Sequence, residues 1–204
     1  MSGRALSDRG IRLLLMAAAF LAGLTLFAAV ILLIGGRSQT VRLAPWAVPG
    51  GPFALVDQNS KPMTDKDFLG KPLLVFFGYT HCPDVCPTTL FEISEVMRVL
   101  GPDASRVNAV FITIDPERDT PAVLKDYLSS FEHQVLGLSG DPQAIAKVAK
   151  EYGVYSRKVP REDGNYLMDH SVDVYLMDKD GKFVAPFNLK RRPEAAAADL
   201  RKYL

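Results

Sequence analysis

The stretch Leu73-Leu74-Val75-Phe76-Phe77-Gly78-Tyr79-Thr80-His81-Cys82-Pro83-Asp84-Val85-Cys86-Pro87 holds both cysteines of a 204-residue chain. Its first half is a near-continuous apolar run, as expected of a strand covered on both faces. Beyond Pro87, Leu90, Ile93, Met97 and Leu100 recur at helical spacing, with Gly101 as the stop. The thiols therefore stand where a strand meets the N-terminus of a helix. A chain that spends all its thiols in one short stretch has placed them for chemistry, either redox exchange or a soft metal; a buried structural cysteine more often stands alone.

The same alternation continues outward. Phe53-Ala54-Leu55-Val56 reads as a short strand, and Val107 to Ile114 as a β-rich run ending at Asp115-Pro116. Thr120-Pro121 reads as a cap and first-turn proline opening a helix to about Ser130. Val135 to Leu138 is a short strand, and Asp141-Pro142 opens a helix to about Tyr152. Ser171 to Met177 and Lys182 to Val184 flank the turn Asp178-Lys179-Asp180-Gly181 as a hairpin, and Pro193 to Tyr203 closes the chain as a helix. This pattern predicts an α/β domain: a thioredoxin-like mixed sheet flanked by helices, over residues 52–204. That fold puts reactive thiols at the strand-to-helix junction, where terminal amides and the helix dipole favour thiolates.

Residues 1–51 read differently. Leu13 to Ile34 carries no charge over 22 residues. As a helix it would extend roughly 33 Å, enough to cross a hydrocarbon core of about 30 Å. Arg4, Arg9 and Arg12 precede it, which favours a cytoplasmic N-terminus over residues 1–12. The run is too long for the apolar core of a cleavable signal peptide, and Gly35-Gly36-Arg37-Ser38 offers no convincing cleavage site. The expectation is an uncleaved anchor at 13–34 and a Pro/Gly-rich linker at 35–51. Without an Arg- and Ser-rich transit stretch, a single pass of a bacterial inner membrane is favoured, with the C-terminal domain in the periplasm. There an idle thiol pair tends to oxidise. The balance of 24 basic and 23 acidic residues gives no reason to expect nucleic acid as a partner.

Three residues separate Cys82 from Cys86, one more than in a thioredoxin-type motif. On a helix that spacing puts both sulfurs on one face. It also permits a disulfide, and spacing alone does not decide between a bridge and a shared ion. A metal would need a third ligand, and imidazole is the expected type. His81 adjoins Cys82 and can point either way; His133 reads as a solvated surface residue. His170 precedes the hairpin strand, whose leading loop in a thioredoxin-like sheet lies beside the cysteines, so topology selects it. The alternative for His170 is a histidine merely satisfied by hydrogen bonds. Asp169 and Asp84 are carboxylates able to orient a ligand from behind, though Asp84 can equally cap the helix. Two thiolates and one imidazole suit copper, as Cu(I) or Cu(II), better than an iron–sulfur cluster or a closed zinc site.

The motif Gly78-Tyr79-Thr80-His81-Cys82-Pro83-Asp84-Val85-Cys86-Pro87 resembles the signature of the Sco/SenC proteins. So do Asp115-Pro116-Glu117-Arg118-Asp119-Thr120-Pro121 and Tyr166-Leu167-Met168-Asp169-His170-Ser171. The resemblance covers residues 52 to 204. It implies a membrane-anchored thioredoxin-like protein that binds one copper at Cys82, Cys86 and His170. It also implies a role in assembling the dinuclear copper centre of cytochrome c oxidase subunit II. The partners it implies are that subunit and a thiol reductant or another copper chaperone. Some members of the family act mainly as thiol reductases, so the expected alternative is a thiol–disulfide oxidoreductase working through Cys82 and Cys86 alone. A peroxidase would need an electropositive pocket at the thiol, and the sequence does not bring Arg118 near Cys82.

Overall fold

The computed structural model of the chain describes residues 8–35, 48–131 and 135–204. It divides into two units, Met1–Pro45 and Trp46–Leu204. In the first, helix α1 spans Asp8–Gly35. Its side chains are described at 15, 16 and 18–29, all exposed, so the apolar run 13–34 is covered only in part. Among the described residues no helix is long and apolar enough to cross a membrane. Most of the expected linker, residues 36–47, lies outside the described residues, as does His133.

The second unit is built on a seven-stranded mixed sheet in the order β2-β1-β5-β4-β3-β8-β9. These strands are β1 (Ala54–Asp57), β2 (Pro62–Thr64), β3 (Leu73–Gly78), β4 (Asn108–Thr113), β5 (Leu136–Ser139), β8 (Val174–Met177) and β9 (Phe183–Pro186). Strand β3 is central, parallel to β4 and antiparallel to β8. All six of its residues are buried, which is why its sequence is apolar without alternation. Helices α2 (Val85–Leu100), α3 (Pro121–Leu128), α4 (Pro142–Glu151) and α5 (Pro193–Leu200) complete the domain.

Helix α2 buries Cys86, Leu90, Ile93, Met97 and Leu100, the stripe that its spacing predicts. Each such side chain contributes roughly 1.5–3 kcal/mol by leaving water. Helices α3 and α4 start as the sequence signals, with Pro121 and Pro142 in their first turns. Thr120 accepts from the Val123 amide, and Asp141 from the Gln143 and Ala144 amides.

Three expectations change. Helix α2 begins at Val85 rather than Pro87, so Cys86 lies in its first turn and Cys82 in the loop before it. Asp84 holds the N-cap position, but its side chain makes no capping bond. The segment from 156 to 170 folds as a second, two-stranded sheet, β6 (Ser156–Pro160) with β7 (Tyr166–His170), which the sequence reading left unassigned. His170 therefore ends a strand of its own, paired with Ser156, instead of lying in a loop before β8.

Candidate metal centre

Strand β3 delivers the chain to its C-terminal edge at Gly78, and residues 79–84 fold back over the start of α2. The Cys82 amide donates to the Tyr79 carbonyl at 3.2 Å. The Cys86 amide donates to Cys82 Sγ at 3.4 Å. The two sulfurs thus converge because the loop caps the helix with a sulfur, and not because both cysteines share a helix face. Both thiols are free; Cys86 is fully buried and Cys82 partly exposed.

The Cys86 sulfur has room only because residue 78 lacks a side chain. A Cβ on Gly78 would stand 2.7 Å from Cys86 Sγ and 2.7 Å from the Phe111 ring. Phe111 belongs to β4 and is fully buried, so neither neighbour can give way cheaply.

The β6–β7 hairpin brings the third donor. His170 Nε2 lies 3.8 Å from Cys86 Sγ. The Cys82, Cys86 and His170 donor atoms all lie within 4.8 Å of one another. His170 Nδ1 sits 2.6 Å from the Ser171 carbonyl oxygen. A carbonyl only accepts, so Nδ1 carries a proton, and Nε2 is the ring nitrogen turned to the sulfurs. The ring also packs edge-on to Tyr79, centroids 5.8 Å apart.

The electrostatics divide the two thiols. A hydrogen bond from Cys86 holds Cys82 far below the ordinary thiol range, at about 3, despite its partial burial. His170 and the Asp84 and Cys86 amides act in the same direction. Cys86 moves the other way, because it donates to Cys82 and is buried beside a negative neighbour. The site therefore holds one proton across two sulfurs. Tyr79 is pushed up by burial, with the nearby cysteine pair adding to the effect.

The remaining sequence candidates fall elsewhere. His81 is exposed, with Nδ1 3.0 Å from Thr80 Oγ1 and 3.9 Å from Asp119, and is not one of the three converging donors. Asp169 does not orient His170: its carboxylate is exposed and pairs with Arg157 at 3.6 Å. Alternation along β7 sends the two side chains to opposite faces. Asp84 is exposed, and it is its amide that reaches Cys82.

The supporting carboxylates are instead Asp115 and Asp119, both buried, which the sequence places in the family signature without showing a supporting role. Asp119 accepts from the Thr80 amide (3.0 Å), Thr80 Oγ1 (2.6 Å) and Thr113 Oγ1 (2.7 Å), and so ties the cysteine loop to β4. Burial raises its pKa, and these bonds oppose the rise. Asp115 accepts from Tyr166 Oη and pairs with Arg118. The available signal was two acids and an arginine packed directly behind a buried parallel strand, on the same sheet edge as the cysteines.

Residues 44–204 match the family model described as SCO1/SenC. The chain belongs to the SCO1/SenC family. Among curated SCO1/SenC relatives, the mouse mitochondrial SCO2 homolog is 38% identical over 171 residues, 82% of this chain. That match spans 66% of the mouse protein, so the chain accounts for about two thirds of its length. Among solved structures, Bradyrhizobium japonicum ScoI with copper bound is 67% identical with a TM-score of 0.75. The alignment covers 76% of this chain and 99% of that one. Yeast Sco1 with copper bound is 36% identical with a TM-score of 0.70, covering 76% and 88%. The α/β thioredoxin-like Sco architecture and its mixed sheet are thus shared.

Two outcomes follow from this geometry. Gly78→Ala should displace Cys86 Sγ and lower stability by about 1–3 kcal/mol, the usual cost of overpacking; an unchanged urea midpoint together with unchanged Cys86 burial would contradict it. The alkylation rate of Cys82 should stay nearly flat as pH falls from 8 to about 5 in the native protein, and should fall steeply over that range after unfolding. With a folded pKa of about 3 against an ordinary 9.0, the stability this group supplies is complete above pH 9 and is withdrawn as pH falls towards 3. A native inflection near pH 9 would refute the assignment.

Proposed function

We propose that this chain is a copper-delivery protein that holds one copper ion on Cys82, Cys86 and His170 and passes it to the dinuclear copper site of cytochrome c oxidase subunit II. The observation that carries the reading is the mutual approach of two sulfurs and one imidazole nitrogen within 4.8 Å. Three donors around one ion at bonds of roughly 2.0–2.3 Å stand about 3.8–4.0 Å apart. Less than about 1 Å of convergence would therefore close the site. Two thiolates with one imidazole select a soft or borderline ion, and Cu(I) satisfies itself with three ligands. Copper-bound ScoI and Sco1 structures support the choice of metal. The Sco/SenC resemblance supports this choice of acceptor.

Transfer follows from the unequal burial of the two sulfurs. Cys82 faces the opening and departs as a thiolate, so an incoming acceptor thiolate can take its place without a proton being moved. Cys86 stays buried and bound until a second acceptor ligand arrives. His170 is delivered by a hairpin outside the main sheet, so its bond can break without disturbing the core. The 22-residue uncharged run in α1, with Arg4, Arg9 and Arg12 before it, supports a membrane anchor. The copper site would then stand on the periplasmic face of a bacterial inner membrane.

A second reading is favoured by the asymmetry of the thiols. A partly exposed, low-pKa Cys82 beside a buried, protonated Cys86 is the arrangement of a dithiol reductant. Cys82 thiolate would attack a target disulfide and expel one target thiolate. Cys86 would then lose its proton and attack the mixed disulfide at Cys82. The chain ends oxidised, and the target gains two electrons and two thiols. A target subunit must have reduced cysteines before it can accept copper, so the two activities are sequential.

Copper(I) competition against a chromophoric chelator separates them. Cys82→Ala and Cys86→Ala should each weaken binding by more than about 100-fold, beyond the 10–100-fold usual for residues outside the ligand shell. His170→Ala should weaken copper binding while leaving disulfide reduction intact. Undiminished affinity in the double cysteine variant would remove the copper reading.

A further inference from the structure

The hairpin that carries His170 meets the core through β7, where Met168 is buried and Tyr166 packs against the cluster, while β6 adds no buried surface. All five residues of β6 are exposed, and its pairing is with β7 alone. Besides the hydrogen bond between Tyr79 and the Met168 backbone, the hairpin's polar ties to the body among the described residues gather at the segment 115–118 that follows β4. Tyr166 Oη donates to Asp115 Oδ1 at 2.8 Å. Arg118 Nη1 donates to the Tyr166 carbonyl at 3.0 Å and to Asn165 Oδ1 at 3.1 Å. The Arg118 guanidinium lies 3.7 Å from the Tyr166 ring centroid, and its Nε pairs with Asp115. Lys158 reaches Glu117 at 2.6 Å, but both side chains are exposed, and such a pair is worth little. Asp115 is fully buried, so its bonds to Arg118 and Tyr166 are made away from water, where they count most.

The next residue after this segment, Asp119, holds the cysteine loop, through Thr80. One carboxylate grips the sulfur side and the other grips the imidazole side. The guanidinium extends the grip inwards, lying 5.8 Å from the ring of Tyr79, on which His170 packs.

We propose that Arg118 is a positioning residue for His170: with Asp115 and Tyr166 it clamps the β6–β7 hairpin to the loop behind β4 and so sets the distance between the imidazole and the two sulfurs. Neither Arg118 nor Asp115 touches the sulfurs or the ring. The consequence for copper rests on the function proposed above; the positioning itself does not.

Two measurements on the 204-residue chain in detergent test this, with Tyr166→Phe and Arg118→Lys as the clamp variants. Arg157→Ala is the control, since it removes a hairpin charge without touching the clamp. The first measurement is the nuclear Overhauser contact of the His170 ring with Cys86 Hβ and the Tyr79 ring in the metal-free protein. The clamp variants should lose these contacts, the control should keep them, and all should retain the circular dichroism of the parent. Full retention of the contacts in both clamp variants overturns the proposal.

The second is a copper(I) double-mutant cycle. Arg118→Lys should weaken binding about tenfold in the parent and change it by less than about twofold in the His170→Ala background. An equal loss in both backgrounds means that Arg118 does not act through His170. If the parent takes up no copper, the proposed function fails and the Overhauser contacts alone decide the clamp. If Arg118→Lys does not fold, Tyr166→Phe, which removes one hydroxyl, decides both measurements.

Discussion

The approach of the Cys86 sulfur to the backbone of β3 at Gly78 is the constraint on which the rest of the site depends. That sulfur is packed at the edge of the central buried strand, against Phe111, with no space for a Cβ beside it. Its position is therefore fixed by the core itself. Everything else arranges around a sulfur that does not move: Cys82 folds over it, the helix start points an amide at Cys82, and His170 closes from the far side. A donor set with one rigid member and two adjustable ones is what the proposed holding and release of an ion requires.

The same arrangement explains why the two thiols differ. Cys86 lies among apolar side chains and keeps its proton; Cys82 lies at the mouth, with amides and a thiol donating to it. Burial and hydrogen bonding separate the pair. In the proposed transfer, Cys82 is the sulfur to be exchanged and Cys86 is the anchor.

Much of this was legible in the amino-acid order. An unbroken apolar run followed by two cysteines and a helical stripe located the strand, the loop and the helix, because a buried parallel strand and a half-buried helix leave opposite periodicities. His170 was legible from topology, since few chain segments in such a sheet pass the end of β3. The β6–β7 hairpin was not. Ser156-Arg157-Lys158-Val159-Pro160 has no apolar alternation, because none of its residues is buried, and pattern reading depends on burial. The roles of Asp115, Arg118 and Asp119 were also hidden. Charged residues after a strand read as a turn, and only the fold shows that this turn is enclosed between the cysteine loop and the hairpin. Asp169 misled for the opposite reason: adjacency to His170 in sequence puts it on the other face of a strand.

The central claim is that one copper ion is bound by both sulfurs and one ring nitrogen at the same time. X-ray absorption at the copper edge of the copper(I)-loaded chain tests it directly. The account predicts a first shell of two sulfurs and one nitrogen, with the nitrogen lost in His170→Ala and both sulfurs retained. A parent shell with fewer than two sulfurs, or a nitrogen that persists unchanged without His170, would contradict it.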